Sequence, residues 1–181
     1  MALPARSVYQ GPAILFFEDL IMIAIGDALP EVTFMLATGD GPKPMTSAEV
    51  FAGKTVALFA VPGAFTPTCS AKHLPSFKAH EAALNTAGVD VIACTSVNDP
   101  FVLAAWAKDQ GVEDKILMLS DGNGAFAKAL GLEMDGSKFG MGLRSKRYGM
   151  LVRDGKVEQL NVEEGGEYRV SSAEYLLAQL K

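Results

Sequence analysis

Thr55 to Val61 reads TVALFAV, a near-continuous apolar run closed at once by Pro62-Gly63. A strand that is apolar toward both sides must be covered on both sides, so this segment calls for a sheet sandwiched between helices. The rest of the chain supplies the other parts. Val89 to Thr95 (VDVIACT) reads as a second buried strand and Ile116 to Leu119 as a third, with Glu31 to Ala37 as a short strand before them. Thr46 to Phe51 predicts a short helical turn, ended by Gly53, after a Gly/Pro-rich loop from Thr38 to Pro44. Helical spacing runs from Thr68 to Ala87, with Gly88 as its C-terminal cap and Pro75 expected to kink it. Asp99-Pro100 announces a helix over Phe101 to Gln110, and Ala125 to Leu130 a shorter one before Gly131.

Arg147 to Arg153 and Lys156 to Val162 flank Asp154-Gly155, the strongest short hairpin signal in the chain. Ser172 to Leu180 predicts a closing helix, capped by Ser171 or Ser172, with Glu174 in its first turn. There are no internal repeats and no interdomain linker. Strands joined by helical crossovers, then a hairpin and a final helix, describe one α/β domain. The order resembles a thioredoxin-like fold with insertions: a central mixed sheet with flanking helices. The domain is expected over 22–181, preceded by an extension of unknown role at 1–21.

In that extension Ala13 to Phe17 and Leu20 to Ile25 are apolar, but Glu18 and Asp19 lie between them. Neither run approaches the roughly 20 residues of a membrane span, and two carboxylates at its centre would be costly. A signal peptide fits poorly with only Arg6 before the apolar stretch. A transit peptide would want more Arg and no acids. Met22 would make a sensible alternative start.

The balance of 21 acidic to 16 basic residues leaves a net charge of −5, which gives a phosphate backbone nothing to bind. Nucleic acid and membrane are therefore excluded as expected partners. Two cysteines, Cys69 and Cys94, are too few for a secreted disulfide scaffold, and no Cys/His cluster has metal-ligand spacing. Cysteine usage points to a reducing compartment and a cytoplasmic location, with an organelle as the alternative if 1–21 is a targeting segment.

The chemistry is expected around Cys69. In Val61-Pro62-Gly63-Ala64-Phe65-Thr66-Pro67-Thr68-Cys69 a strand ends, a turn follows and a helix begins. Thr66 is a suitable N-cap and Pro67 suits the first helical position, which puts Cys69 in the first turn. A thiolate there faces unpaired N–H groups and the positive end of the helix dipole. The competing reading is an inert buried cysteine, and it is weakened because helix starts are seldom fully buried.

Ionisation alone is not enough. At pH 7, lowering a thiol pKa from ~8.5 to ~6 raises the thiolate fraction about 30-fold. Intrinsic nucleophilicity, with a Brønsted slope of ~0.45, takes back about 13-fold. The net gain is about twofold, so a fast thiol enzyme needs donors that stabilise charge moving onto a leaving group. The Thr66 hydroxyl, the turn N–H groups and a nearby Arg are the candidates. Spacing leaves Arg144 and Arg147 both open, because it does not show which faces the site. His73, four residues after Cys69, shares its helical face and is assigned a supporting or packing role. His80 has no partner that the sequence identifies and is placed on the surface.

The segment VPGAFTPTCSAKHLPSF, with Pro62-x-x-x-Thr66-x-x-Cys69, resembles the active-site motif of peroxiredoxins, and its surroundings resemble the atypical type II, or peroxiredoxin-five, branch. The resemblance continues through Val97-Asn98-Asp99-Pro100-Phe101, Leu143-Arg144-Ser145-Lys146-Arg147-Tyr148 and Leu160-Asn161-Val162-Glu163, covering about Met22 to Lys181. It implies an antioxidant peroxidase for hydrogen peroxide and alkyl hydroperoxides, without a cofactor. In that scheme Cys69 is the peroxidatic cysteine that becomes a sulfenic acid. Thr66 hydrogen-bonds peroxide and thiolate, Pro62 shields the sulfur, and Arg147 stabilises the thiolate and orients the peroxide. A homodimer is implied by the resemblance alone.

Some relatives carry a resolving cysteine before the last helix; here that segment is Val170-Ser171-Ser172. Cys94 matches the second cysteine of plant-like and bacterial relatives, so it is a possible resolving residue, or else a small apolar core residue in mid-strand. In either case glutathione, glutaredoxin or thioredoxin is expected to complete the cycle. A disulfide oxidoreductase would need Cys-x-x-Cys, where Thr66 stands instead. A cysteine hydrolase would need a basic His with an orienting acid, and only His73 is nominated. A redox sensor on the same fold is the non-enzymatic alternative.

Overall fold

The computed structural model describes residues 22–180; the expected extension at 1–21 lies outside them. A seven-stranded sheet forms the centre: β1 (Thr33–Leu36), β2 (Lys43–Thr46), β3 (Thr55–Ala60), β4 (Val91–Ser96), β5 (Leu117–Ser120), β8 (Tyr148–Arg153) and β9 (Lys156–Val162). Their spatial order is β2-β1-β5-β4-β3-β8-β9. β3, β4 and β5 pair in parallel and the other neighbours are antiparallel, so the sheet is mixed as expected. β6 (Glu133–Asp135) and β7 (Leu143–Ser145) make a separate antiparallel pair.

The helices are α1 (Ser47–Phe51), α2 (Leu74–Ala79), α3 (Glu81–Thr86), α4 (Pro100–Gln110), α5 (Ala125–Ala129) and α6 (Ala173–Gln179). Every residue of β3 is buried, and its alternation divides the core. Ala57, Phe59 and Val61 join Leu74, Phe77, Leu103, Trp106 and Leu176 on one side. Val56, Leu58 and Ala60 join Val50, Phe51, Phe126 and Leu130 on the other. Each fully buried Phe or Leu in these layers contributes roughly 1.5–3 kcal/mol against the chain entropy. Cys69 belongs to the first layer. No helix among the described residues is long and apolar enough to cross a membrane.

Several local expectations hold for the stated reasons. Asp154 and Gly155 both have positive φ (47° and 73°), as a two-residue hairpin turn requires. Asp99 caps α4 by accepting from Phe101 and Val102 N–H. Of the two serines, Ser172 caps α6, its hydroxyl accepting from Tyr175 N–H. Three strands were not expected. β2 contains Pro44 and lies at the sheet edge, where a missing N–H is tolerated. β6 and β7 are three residues each, too short for a periodic pattern.

The helix expected over Thr68 to Ala87 with a kink at Pro75 is built differently. It starts at Pro67 and passes through one wide π turn at Cys69–His73, where Leu74 N–H bonds back to the Cys69 carbonyl. α-Helical geometry resumes with Pro75 in its first turn, where the missing N–H costs least. The interruption falls at His80 (φ −102°, ψ 11°), between α2 and α3.

Candidate active site

The turn after β3 brings Pro62, Thr66 and Cys69 to the C-terminal end of a parallel strand, where open α/β sheets place their ligands. Phe65 holds φ 60°, an uncommon conformation for a non-glycine residue, and half of its surface is exposed. The loop after β4 braces this turn. Asn98 Oδ1 accepts from Ala64 N–H at 3.0 Å, and the Ser96 hydroxyl donates within reach of Val61 O (3.1 Å) and Asn98 Oδ1 (2.7 Å). No local pattern marks Asn98 for this bracing role; only its neighbours Asp99-Pro100 carry a structural signal.

Cys69 is completely buried, against the expectation that a helix start stays partly open. Its helix begins directly over the sheet, so the first inward-facing side chain enters the layer shared by Phe59, Val61 and Leu74. Thr66 occupies the expected cap position, but its hydroxyl donates backward to the Gly63 carbonyl at 2.8 Å. The oxygen keeps its acceptor lone pairs. Pro62, at the start of the same turn, is half-buried.

Arg147 is the arginine at the sulfur. Its Nη1 donates to Cys69 Sγ at 3.5 Å and to His73 Nδ1 at 3.1 Å, and the residue is buried. Its Nε is buried and donates to no acceptor among the described residues. Arg144 braces the rim instead, donating to Met141 O (2.7 Å) and Val97 O (2.9 Å).

His73 Nε2 lies 3.0 Å from the Ser171 carbonyl, which can only accept, so the ring's proton sits there and Nδ1 faces Arg147 as an acceptor. Burial, then the Arg147 cation, hold its pKa down at about 3, against the smaller pull of Ser171 and Glu163. His73 is therefore a neutral support for Arg147 and is not arranged as a base for Cys69. His80, expected to stand alone, contacts the Ser76 carbonyl through Nδ1 (2.9 Å) with Glu174 at 3.6 Å.

The sign of the His73 shift sets a pH dependence. Unfolded, the ring takes a proton below its ordinary pKa of 6.5; folded, it refuses one until about pH 3. Its contribution is whole above 6.5 and is lost as pH falls toward 3. The loss from pH 6.5 to about 5 is on the order of 2 kcal/mol. Urea unfolding of wild type and His73→Leu at neutral and mildly acid pH should show a steeper decline in wild type; equal declines would refute the buried neutral ring.

Cys94 lies in β4, wholly buried, paired in register with Phe59. Burial, then the neighbouring Cys69 sulfur, push its thiol well above the ordinary range. Both cysteines are free. They share one core layer, but Cys94 is enclosed by the strands on either side of it.

Residues 24–177 match the family model described as Redoxin. The chain is 51% identical over 163 residues to the chloroplastic peroxiredoxin-2E of Arabidopsis thaliana, covering 87% of this chain and 69% of that protein. Among solved structures it resembles reduced Prx3 of Vibrio vulnificus in complex with H2O2, with TM-score 0.84 and 51% identity over 88% of this chain and 100% of that one. It also resembles peroxiredoxin 5 of Alvinella pompejana, with TM-score 0.77 and 36% identity over 87% and 97% of the two chains. Together with the Arg147 contact to a buried helix-start cysteine, these similarities place the chain in the redoxin family, among the atypical type II peroxiredoxins.

Proposed function

We propose that Cys69 Sγ is the atom on which this peroxiredoxin, a thiol peroxidase, reduces hydrogen peroxide and alkyl hydroperoxides. The single observation that carries the assignment is the Arg147 Nη1 contact to Cys69 Sγ at 3.5 Å, made between two buried residues 78 positions apart. In the reaction the thiolate attacks the terminal peroxide oxygen. The S–O bond forms, the O–O bond breaks, and the departing hydroxide or alkoxide takes a proton to leave as water or alcohol. Cys69 is left as a sulfenic acid.

Arg147 holds the thiolate through Nη1, and its unpartnered Nε–H supports the peroxide. The Thr66 oxygen adds a second polar contact to the peroxide, and Pro62 keeps water from the sulfur. A preorganised donor set of this kind lowers the barrier where ionisation alone gains only about twofold. Two molar equivalents of outside thiol, from glutathione with glutaredoxin or from thioredoxin, then return the sulfenic acid to thiol, yielding a disulfide and water. The enclosed position and raised pKa of Cys94 support resolution by the outside thiol over an internal disulfide.

A homodimer fits the exposure of Phe65, Phe101, Phe139 and Leu143, large apolar side chains of the kind that interfaces cover. The chloroplastic location of the Arabidopsis relative supports the organelle alternative for this chain over a cytoplasmic one.

Intact-mass spectrometry after one equivalent of peroxide tests the cycle on wild type and Cys94→Ser. Both should gain one oxygen on Cys69 and then take up one glutathione equally, and native spectra of the same samples should show the dimer. Loss of two hydrogens in wild type alone would assign resolution to Cys94. A wild type that is oxidised once and never turns over with added thiols would be a sensor.

A further inference from the structure

Glu163 follows β9 and is almost completely buried, with 7% of its surface exposed. Its Oε1 accepts from Arg169 N–H (2.6 Å), Val170 N–H (2.7 Å), Ser171 N–H (2.8 Å) and the Ser171 hydroxyl (2.8 Å). These are not the donors of α6, whose cap is Ser172. They belong to the three residues before it, whose last carbonyl holds His73. The main chain of Glu163 also donates to the Arg147 carbonyl at 2.9 Å.

The connections close a circuit. Arg147 is gripped at its backbone by Glu163 N–H. Its guanidinium is reached from the same residue through the carboxylate, Ser171 and His73. Gly149, on β8, lets the loop approach, since a Cβ there would lie 2.9 Å from the Ser171 carbonyl oxygen. Tyr168 closes the outer side, its ring 5.4 Å from the His73 ring and its hydroxyl 3.3 Å from the Lys72 carbonyl.

We propose that Glu163 is a positioning residue for the reaction at Cys69: by gathering the N–H groups of residues 169–171 it fixes the Ser171 carbonyl, hence His73, hence the guanidinium of Arg147. The charge suits the task, because three backbone N–H groups converging on one point bind an anion far better than a neutral acceptor. Burial works to raise the Glu163 pKa, and the N–H groups of Arg169, Ser171 and Val170 with the Ser171 hydroxyl outweigh it, so the carboxylate persists. Without it the three N–H groups would need other partners, and the carbonyl that orients His73 would move with them.

The test uses the rate of Cys69 oxidation by hydrogen peroxide. It can be followed by the fluorescence of Trp106, the single tryptophan, whose Nε1–H bonds the hydroxyl of Ser70 beside Cys69. Glu163→Gln keeps the shape and removes the charge; the rate constant should fall about tenfold, within the range of coupled neighbours. His73→Leu should lower the rate similarly, and Glu163→Gln should lower it no further in that background. Losses that multiply in the double variant, or a Glu163→Gln enzyme with the wild-type rate, would overturn the proposal. So would a loss that only tracks the folded fraction in a thermal melt.

If Glu163→Gln does not fold, Ser171→Ala takes its place in the cycle, with a drop of about twofold expected and additivity with His73→Leu again refuting it. The inference rests on the Cys69 assignment. A wild type without Cys69-dependent peroxide reduction fails that assignment, whereas a normal wild type with an unaffected Glu163→Gln fails only the circuit.

Discussion

Cys69→Ser is expected to bring peroxide reduction down to the uncatalysed background, with hydrogen peroxide and with an alkyl hydroperoxide alike. The reason is chemical before it is structural. The reacting atom must give up two electrons and accept an oxygen, which sulfur does as thiolate to sulfenic acid and a serine oxygen does not. Serine is also not ionised near neutral pH, so no anion is present for Arg147 to stabilise. The variant should still fold, because the exchanged atoms differ little in size. Burying a hydroxyl in the layer of Phe59 and Val61 costs about 1–3 kcal/mol when it is not hydrogen-bonded. Steady-state consumption with glutathione and glutaredoxin, or with thioredoxin, is the measurement, beside a thermal melt. Consumption above a few per cent of wild type in a folded Cys69→Ser protein would mean that Cys69 is not the reacting thiol.

Arg147→Gln carries the second largest effect, a fall in the peroxide rate constant of about 10²–10³-fold. That is the cost of removing one preorganised donor from a buried site where charge develops, and here the donor also bears the cation facing the thiolate. Glutamine reaches only as far as the arginine Nε, so the variant loses the cation and both Nη1 contacts, to Cys69 Sγ and to His73 Nδ1. Lysine would not restore the rate, since a single ammonium cannot reproduce a guanidinium that spans His73 and Cys69 and presents a third N–H. Arg144→Gln is the matched control. Arg144 spends its donors on the carbonyls of Met141 and Val97, so its loss should loosen the rim with a much smaller effect on the rate. Stopped-flow Trp106 fluorescence separates the three variants. Equal losses for Arg144→Gln and Arg147→Gln would remove the special role of Arg147.

Complete burial of Cys69 bears on both experiments. A thiol with no exposed surface is reached by a small peroxide more readily than by a tripeptide or a protein thiol. Reduction of the sulfenic acid by an outside thiol therefore needs the first helical turn to open. The wide turn at Cys69–His73 is the natural place, because its hydrogen-bond spacing is already looser than that of the α-helix it precedes.

Much of this protein is legible in its sequence because the deciding interactions are local. The TVALFAV run required cover on both faces, and the sheet alternates its buried residues between two core layers accordingly. Asp154-Gly155, Asp99-Pro100 and the Ser171-Ser172 pair signalled a turn and two helix starts by chemistry confined to a few residues. Thr66-Pro67 placed Cys69 at a helix start for the same reason.

Whatever depends on which way a side chain faces was decided only by the tertiary structure. Arg144 and Arg147 could not be told apart by strand alternation. β7 ends at Ser145 and β8 begins at Tyr148 in a different sheet, so Arg147 lies in the connection where no period holds. His73 shares a helical face with Cys69 by count, yet its ring is claimed by Ser171 and Arg147, contributed by segments about 75 to 100 positions away. Glu163 carried no signal of a role at all, since its four donors are assembled by a loop that folds back on it. The sequence by itself determined the layers, the turns and the placing of Cys69 at a helix start, through periodicity and backbone chemistry. Periodicity left the arginine open until the resemblance named Arg147, and only the fold showed its contact with the sulfur, the neutral histidine and the carboxylate behind them, because long-range hydrogen bonds between buried groups leave no local pattern.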